Sequence, residues 1–305
     1  MEKRRILIYI GITFAITWLY ALLVVYPIMN SENLSVIINV IVQFAVAGTM
    51  FMPAIGVLLT RLITKEGFKD CWIKPNLLKQ KGNLKYYILA YFGPGVLVFW
   101  GAVLYFLIFP NQFDGSCGYM LQILESSGAS ASDIPVSLPV LLAIQCIEAF
   151  LLGPVLNCVT CFGEEWGWRG YLVPKMSEKM SGIPMVLVTG IIWGLWHAPL
   201  TIVGHNYGTG YPGFPFTGIA AMCLFCIVMG TFLSYVTLKT KSCIPAVIGH
   251  GAINSIAAIG MYFTVDGGNP FLGPVPTGVI GMIPFMLVAV WMCVSYFGKK
   301  NEILK

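Results

Sequence analysis

"MEKRRILIYIGITFAITWLYALLVVYPIM", residues 1–29, decides the fold class. Behind a basic start, the chain runs from Ile6 to Met29 without a charged side chain. As a helix rising 1.5 Å per residue, that run is about 36 Å long, enough to cross roughly 30 Å of bilayer hydrocarbon. A secretory leader has an apolar run of only about 7–15 residues, followed by a small-residue cleavage site. The segment therefore reads as a retained first transmembrane helix, near 6–28.

The same reading extends along the chain. Apolar residues make up 57% and charged residues 10% of the 305, against about 45–50% and about 25% in soluble domains. The excess falls in blocks near 36–60, 86–109, 138–162, 184–203, 216–238, 243–263 and 275–297. An all-α, polytopic membrane bundle of about eight transmembrane helices follows, with three parts. Residues 1–135 hold the first three helices and their loops, 136–264 a core of helices four to seven, and 265–305 a last helix and a basic tail.

Charge tests the count independently. With eight spans and a cytoplasmic N-terminus, segments 1–5, 61–85, 163–183, 239–242 and 298–305 face the cytoplasm. They hold 3, 7, 3, 2 and 3 Lys or Arg, all 18 in the chain, and the four opposite loops hold none. Basic residues gather in cytoplasmic loops, so both termini are placed in the cytoplasm, at the plasma (inner) membrane. The net charge of +5 is then a topology signal and implies no nucleic-acid partner. The loop from Arg61 to Lys85 is expected to meet anionic lipid. The outer stretch Pro110–Ser137, with "ESSGASASDIP", reads as a mobile loop. "HNYGTGYPGFPF" and "TVDGGNPFLGPVP" read as tight turns near the interface.

Nine cysteines make no disulfide framework, because Cys117 alone lies in an outer loop. Cys158 with Cys161, and Cys223 with Cys226, have metal-like spacing, but inside apolar helices cysteine packs as a small hydrophobe.

A charge in hydrocarbon is costly and marks function by default. In "GEEWGWRGYL", residues 163–172, Glu165 and Arg169 are four apart and share a helix face. Glu164 points about 100° away and stays available. Trp193 and His197 are likewise four apart, as are His250 and Asn254. Counted from the cytoplasmic ends of their helices, Glu164, His197 and His250 lie roughly 15, 20 and 13 Å deep, so three helices can bring them together.

A carboxylate, two imidazoles and a carboxamide in a low-dielectric cavity suit hydrolysis. Glu164 can take a proton from water as general base. His197 can orient that water, or join His250 and Glu164 in holding Zn²⁺ with an open position. Asn254 and His250 can donate to an oxyanion. Metal and metal-free versions both remain open, and no His-Glu-x-x-His motif is present. Glu148 is expected to make a buried hydrogen bond or touch another span, outside the site, and His205 to be a surface residue of an outer loop.

Together these elements resemble the CPBP family (CAAX proteases and bacteriocin-processing proteins, also called Abi) of intramembrane proteases. The family pattern is Glu-Glu-x-x-x-Arg, Phe-x-x-x-His and His-x-x-x-Asn/Asp/Ser. Here it reads Glu164-Glu165-x-x-x-Arg169, Trp193-x-x-x-His197 and His250-x-x-x-Asn254, with Trp193 in place of the usual Phe. The likeness covers roughly 138 to 263. It implies a membrane-embedded peptide hydrolase of metallo- or glutamate type, in which Glu164 activates water, His197 positions it or binds metal, and His250 and Asn254 support the oxyanion. Glu165, Arg169 and Trp193 would be supporting or substrate-contacting. Cleavage is expected near the cytoplasmic side, on a peptide or protein that is lipid-modified or carries a leader. A non-catalytic scaffold binding a peptide or sensor is the alternative. A transporter ranks lower, since the chain lacks the repeated halves such proteins often show.

Overall fold

The computed structural model describes residues 2–30, 36–77, 82–126, 135–180 and 182–298. Most of "ESSGASASDIP" and the basic tail lie outside them. The described residues form helices and turns, with two isolated antiparallel bridges and no strand. The helices are α1 (Glu2–Met29), α2 (Val36–Thr49), α3 (Met52–Ile63), α4 (Leu84–Ile108), α5 (Gly118–Ser126) and α6 (Leu138–Leu151). After a turn at Gly153–Leu156 come α7 (Cys158–Gly167), α8 (Val173–Ser177), α9 (Ile183–Trp196) and α10 (Ala198–Ile202). The last are α11 (Phe216–Thr240), α12 (Ile244–Ile256) and α13 (Val279–Phe297).

Helices prevail because hydrocarbon offers no partner for backbone N–H and C=O groups, so each segment must satisfy its own. Glu2–Met29, Val40–Ile63, Leu84–Ile108, Phe216–Thr240, Ile244–Phe263 and Val279–Phe297 are long and apolar enough to cross a membrane. Shorter apolar helices, α6 and α9, occupy the fourth and fifth expected spans. Large apolar side chains such as Leu23, Phe44, Leu107, Leu156 and Phe216 are more than two-thirds exposed. Exposed apolar surface on that scale belongs against lipid. This is an integral membrane protein.

Two interruptions shape the interior. The fourth span ends one helix at Leu151, just before Gly153-Pro154, and restarts at Cys158. It then widens into a π-helical turn over Trp168–Leu172; such turns recur at functional sites. The fifth span breaks at His197, which closes α9 and precedes α10.

Small residues set the closest packing. A Cβ on Gly190 would lie 2.6 Å from the Ile227 Cα, and one on Gly194 2.4 Å from the Cys223 Cα. The two glycines let α9 lie directly on the α11 backbone, as small residues do between membrane helices. Trp196 Nε1 donates to Thr17 Oγ1 at 2.8 Å and ties α9 to α1.

The bundle has two distinct ends. At one, Tyr171 Oη donates to Glu66 Oε2 (2.9 Å), Lys175 pairs with Glu2 and Glu66, and Cys243 N donates to the Trp72 carbonyl (2.7 Å). At the other, Asp114 N donates to the Phe263 carbonyl (2.8 Å) and Val265 N to that of Gln112 (3.1 Å). Tyr207 Oη donates there to the Thr277 carbonyl at 3.3 Å, and its ring stacks on Phe271 with centroids 4.9 Å apart. The segments joined at this second end carry no lysine or arginine.

Candidate active site

Glu164 and Glu165 lie in the last turn of α7, and both are buried. Their partners differ. One Glu165 oxygen, Oε1, accepts from Arg169 (2.9 Å) and lies 2.8 Å from His250 Nδ1. The arginine therefore neutralises Glu165 from its own helix, as the i,i+4 spacing predicts, while the histidine reaches it from α12. Arg169 was counted with a cytoplasmic segment; it is instead buried, its guanidinium 4.0 Å from the Trp193 ring centroid.

Glu164 accepts a short hydrogen bond from Trp193 Nε1. The indole is a hub, with Arg169 on its face and the His197 and His250 rings 5.8 and 5.7 Å away, centre to centre. His197 Nδ1 lies 2.9 Å from the Trp193 carbonyl oxygen. A carbonyl only accepts, so that nitrogen carries the proton, which leaves Nε2 with its lone pair. His250 Nδ1 is likewise engaged by Glu165, and Asn254 Nδ2 approaches Cys161 Sγ at 3.8 Å.

Glu164, Trp193, His197, His250 and Asn254 all line one cavity of about 160 Å³. At about 30 Å³ per water it has room for about five. Glu165 and Arg169 sit behind it and hold His250 and Trp193. Glu164 can thus receive a proton from a water in the cavity, His197 Nε2 can accept from the same water, and Asn254 can donate to an oxygen of a bound carbonyl.

Zinc on Glu164, His197 and His250 was one of the two versions left open. Among the described residues, no three His, Cys, Asp or Glu side chains come close enough together to hold an ion. Glu164 is taken up by an indole and His250 by Glu165, so the donor set as placed does not fit the metal.

Two expectations are corrected. His205 is a half-buried residue of the cavity wall. Burial holds its imidazole below the usual histidine range, so it is neutral near pH 7. Glu148 is exposed on the outside of α6, neither buried nor in the cavity. The cavity wall also includes His205, Asn206, Pro276 and Thr277, which belong to the end of the bundle opposite the basic one. Toward the basic end Trp168, Tyr171 and Leu172 are buried, with Tyr9 packed on Trp168 at 5.8 Å and on Tyr171 at 5.0 Å.

The cavity thus gathers the buried Glu164 and His250, the half-buried His197 and the exposed carboxamide of Asn254 inside a membrane bundle, and comparison with known proteins can be set beside it. Residues 146–256 match the family model described as Type II CAAX prenyl endopeptidase Rce1-like. That segment holds all three motifs, so the resemblance read from them is shown there. CAAX prenyl protease 2 of Methanococcus maripaludis is 35% identical over 94 residues, 30% of this chain and 34% of that protein. The chain thus spans about a third of the length of the curated relative it matches.

Proposed function

We propose that the protein is a membrane-embedded peptide hydrolase that cleaves a peptide bond with a water activated by Glu164. The observation that carries this reading is the gathering of Glu164, His197, His250 and Asn254 around one cavity, within a segment that matches a protease family model. Water in the cavity gives a proton to Glu164, and its oxygen attacks the carbonyl carbon, with His197 Nε2 fixing its orientation. Asn254 and a doubly protonated His250 donate to the oxyanion that forms. Glu165 favours that charged form of His250, and the proton held by Glu164 passes to the leaving nitrogen as the carbon–nitrogen bond breaks.

Eight crossings with both termini in the cytoplasm, at the plasma membrane, accord with the charge distribution. The substrate is a peptide or protein held at the membrane by a lipid group or a leader segment. Zinc dependence is a separate question, which a chelator answers.

The test is cleavage of prenyl-peptides and leader-type peptides by purified protein in detergent. Glu164→Gln keeps the acceptor for Trp193 and removes the base, so activity falls by about 10²–10⁴ while the protein stays folded. Equal activity in wild type and variant would overturn the reading.

A further inference from the structure

His197 stands where the fifth span breaks, with α9 ending at Trp196 and α10 beginning at Ala198. Its N–H reaches back only three residues, to the Gly194 carbonyl at 3.1 Å, a bond of poorer geometry than an α-helical one. Its ring is held at one atom, Nδ1, by the Trp193 carbonyl at 2.9 Å, with Cys226 Sγ 3.7 Å from the same nitrogen. Contacts at Nδ1 leave the ring free to swing about that point, so the direction of Nε2 is set by what lies against the ring. The nearest aromatic ring is the Trp196 indole, edge-on with centroids 4.6 Å apart; that of Trp193 is 5.8 Å away.

Trp196 is in turn fixed from another helix. It is 1% exposed, and its Nε1–H goes to Thr17 Oγ1 of α1, also 1% exposed, at 2.8 Å. A buried N–H left without an acceptor is costly, so the bond selects one indole orientation. Around it α1 places buried Tyr9, Thr13, Thr17, Ala21 and Val25 at steps of four. Ala21 and Val25 cluster with Leu200 of α10 and Ala45 of α2. Tyr9 packs on Trp168, whose ring meets that of Trp196 at 5.7 Å. Hence α1 grips the chain on both sides of His197, at Trp196 before it and at Leu200 after it. Thr17 lies well outside residues 146–256, the segment that carries the family match.

Resting on the hydrolase reading, we propose that Thr17 is a positioning residue for His197, acting through Trp196. Its hydroxyl oxygen holds the indole, the indole edge sets the plane of the imidazole, and Nε2 then meets the water in the cavity. The first helix is thereby part of the machinery that orients the attacking water, although it carries none of the motifs.

The experiment compares wild type, Thr17→Val, which keeps the branched shape and deletes the acceptor, and Thr17→Ser, which keeps the acceptor. The chain has three histidines, so the imidazole signals of histidine-labelled protein in detergent are followed by NMR, with His197 assigned by its loss in His197→Gln. Thr17→Val is expected to move the His197 signals and leave those of His205 and His250 in place. A shift of about 1 Å in a group that acts in the reaction costs about 10²-fold in rate. Peptide cleavage by Thr17→Val is therefore expected to fall in kcat by about 10- to 100-fold with KM unchanged, and Thr17→Ser to restore both readouts. Unmoved His197 signals in Thr17→Val, a lowered melting temperature with kcat unchanged, or a Thr17→Ser protein as impaired as Thr17→Val overturns the proposal. Should Thr17→Val not fold, Trp196→Phe, which deletes the donor instead, is read in the same way. A wild-type protein that cleaves no peptide would overturn the hydrolase reading alone, because the imidazole signals are read without activity.

Discussion

Trp193→Phe isolates one contact at the centre of the site. The indole is 3% exposed, donates Nε1–H to Glu164 and presents its face to the Arg169 guanidinium 4.0 Å away. Phenylalanine, the residue the CPBP pattern usually carries here, keeps an aromatic face for Arg169 and deletes the donor. A hydrogen bond to an ionised acceptor contributes about 1.5–3 kcal/mol, and one to a neutral acceptor about 0.5–1.5 kcal/mol. At 1.36 kcal/mol per tenfold, loss of the contact from a Glu164 carboxylate lowers kcat/KM by about 13- to 160-fold. From a neutral acid the fall is about 2- to 13-fold. Because Trp193 holds the base, the fall is expected mainly in kcat. The assay is steady-state cleavage of one peptide by wild type and variant, with circular dichroism to confirm the helical fold. A variant within twofold of wild type would refute the claim that Trp193 positions Glu164.

Three further outcomes are expected. Arg169→Met leaves the fully buried Glu165 with His250 but without its guanidinium partner, and breaking a buried pair costs about 3–5 kcal/mol; detergent melting read by tryptophan fluorescence should shift down, and an unchanged midpoint would count against the pair. Gly194→Val puts a branched side chain where even a Cβ lies 2.4 Å from the Cys223 Cα. Overpacking costs about 1–3 kcal/mol, and a ~1 Å shift of nearby His197 costs about 10²-fold in rate, so cleavage should fail before the fold does. Asp114 accepts from Ser116 Oγ and from the Ser116 and Gly118 amides, and the Ser116 hydroxyl, first among these, holds its carboxyl below the usual range. A depressed carboxylate stabilises above its unfolded pKa and stops doing so as pH falls through the folded value. Asp114→Asn should therefore speed hydrogen exchange at the Ser116 and Gly118 amides at pH 7, and the difference from wild type should persist at about pH 4, the ordinary carboxyl value, and fade only as pH falls below it through the lowered folded value; a difference already lost above that pH would point to another cause.

What the sequence made legible is local. Spans, basic segments and the pairs Glu165/Arg169, Trp193/His197 and His250/Asn254 are all read within a few turns of one helix, where 3.6-residue periodicity holds. Where the helix breaks, that arithmetic stops. Between Glu148 and Glu164 the helix is interrupted around Leu152 and Asn157, so no continuous helix relates the faces of the two carboxylates. The Trp193–Glu164 bond spans 29 positions, and the His250–Glu165 bond 85. Neither is encoded in any one segment. Helical depth, likewise, put three residues near one level but said nothing about what packs beside them: Tyr9, on Trp168 and Tyr171, comes from α1, a helix with no motif. A half-signal did exist for His205: it stands three residues after the α10 helix that His197 begins, so a loop starting there must pass close to the site.

The adjacent glutamates show why pairing rather than proximity assigns roles. Both carboxyls are buried on the same turn of α7, and either could in principle serve as a base. Glu165 has its Oε1 shared between a guanidinium and an imidazole. Withdrawing a proton onto it would weaken two buried ion pairs at once, so its work is to hold Arg169 under Trp193 and His250 beside the cavity. Glu164 has one neutral donor and faces the cavity; taking a proton there disrupts a single contact. The arginine and the second glutamate in "GEEWGWRGYL" are therefore the support that frees the first. Removing the support should disorganise His250 and Trp193 together, whereas removing Glu164 should leave both in place and take away only the chemistry.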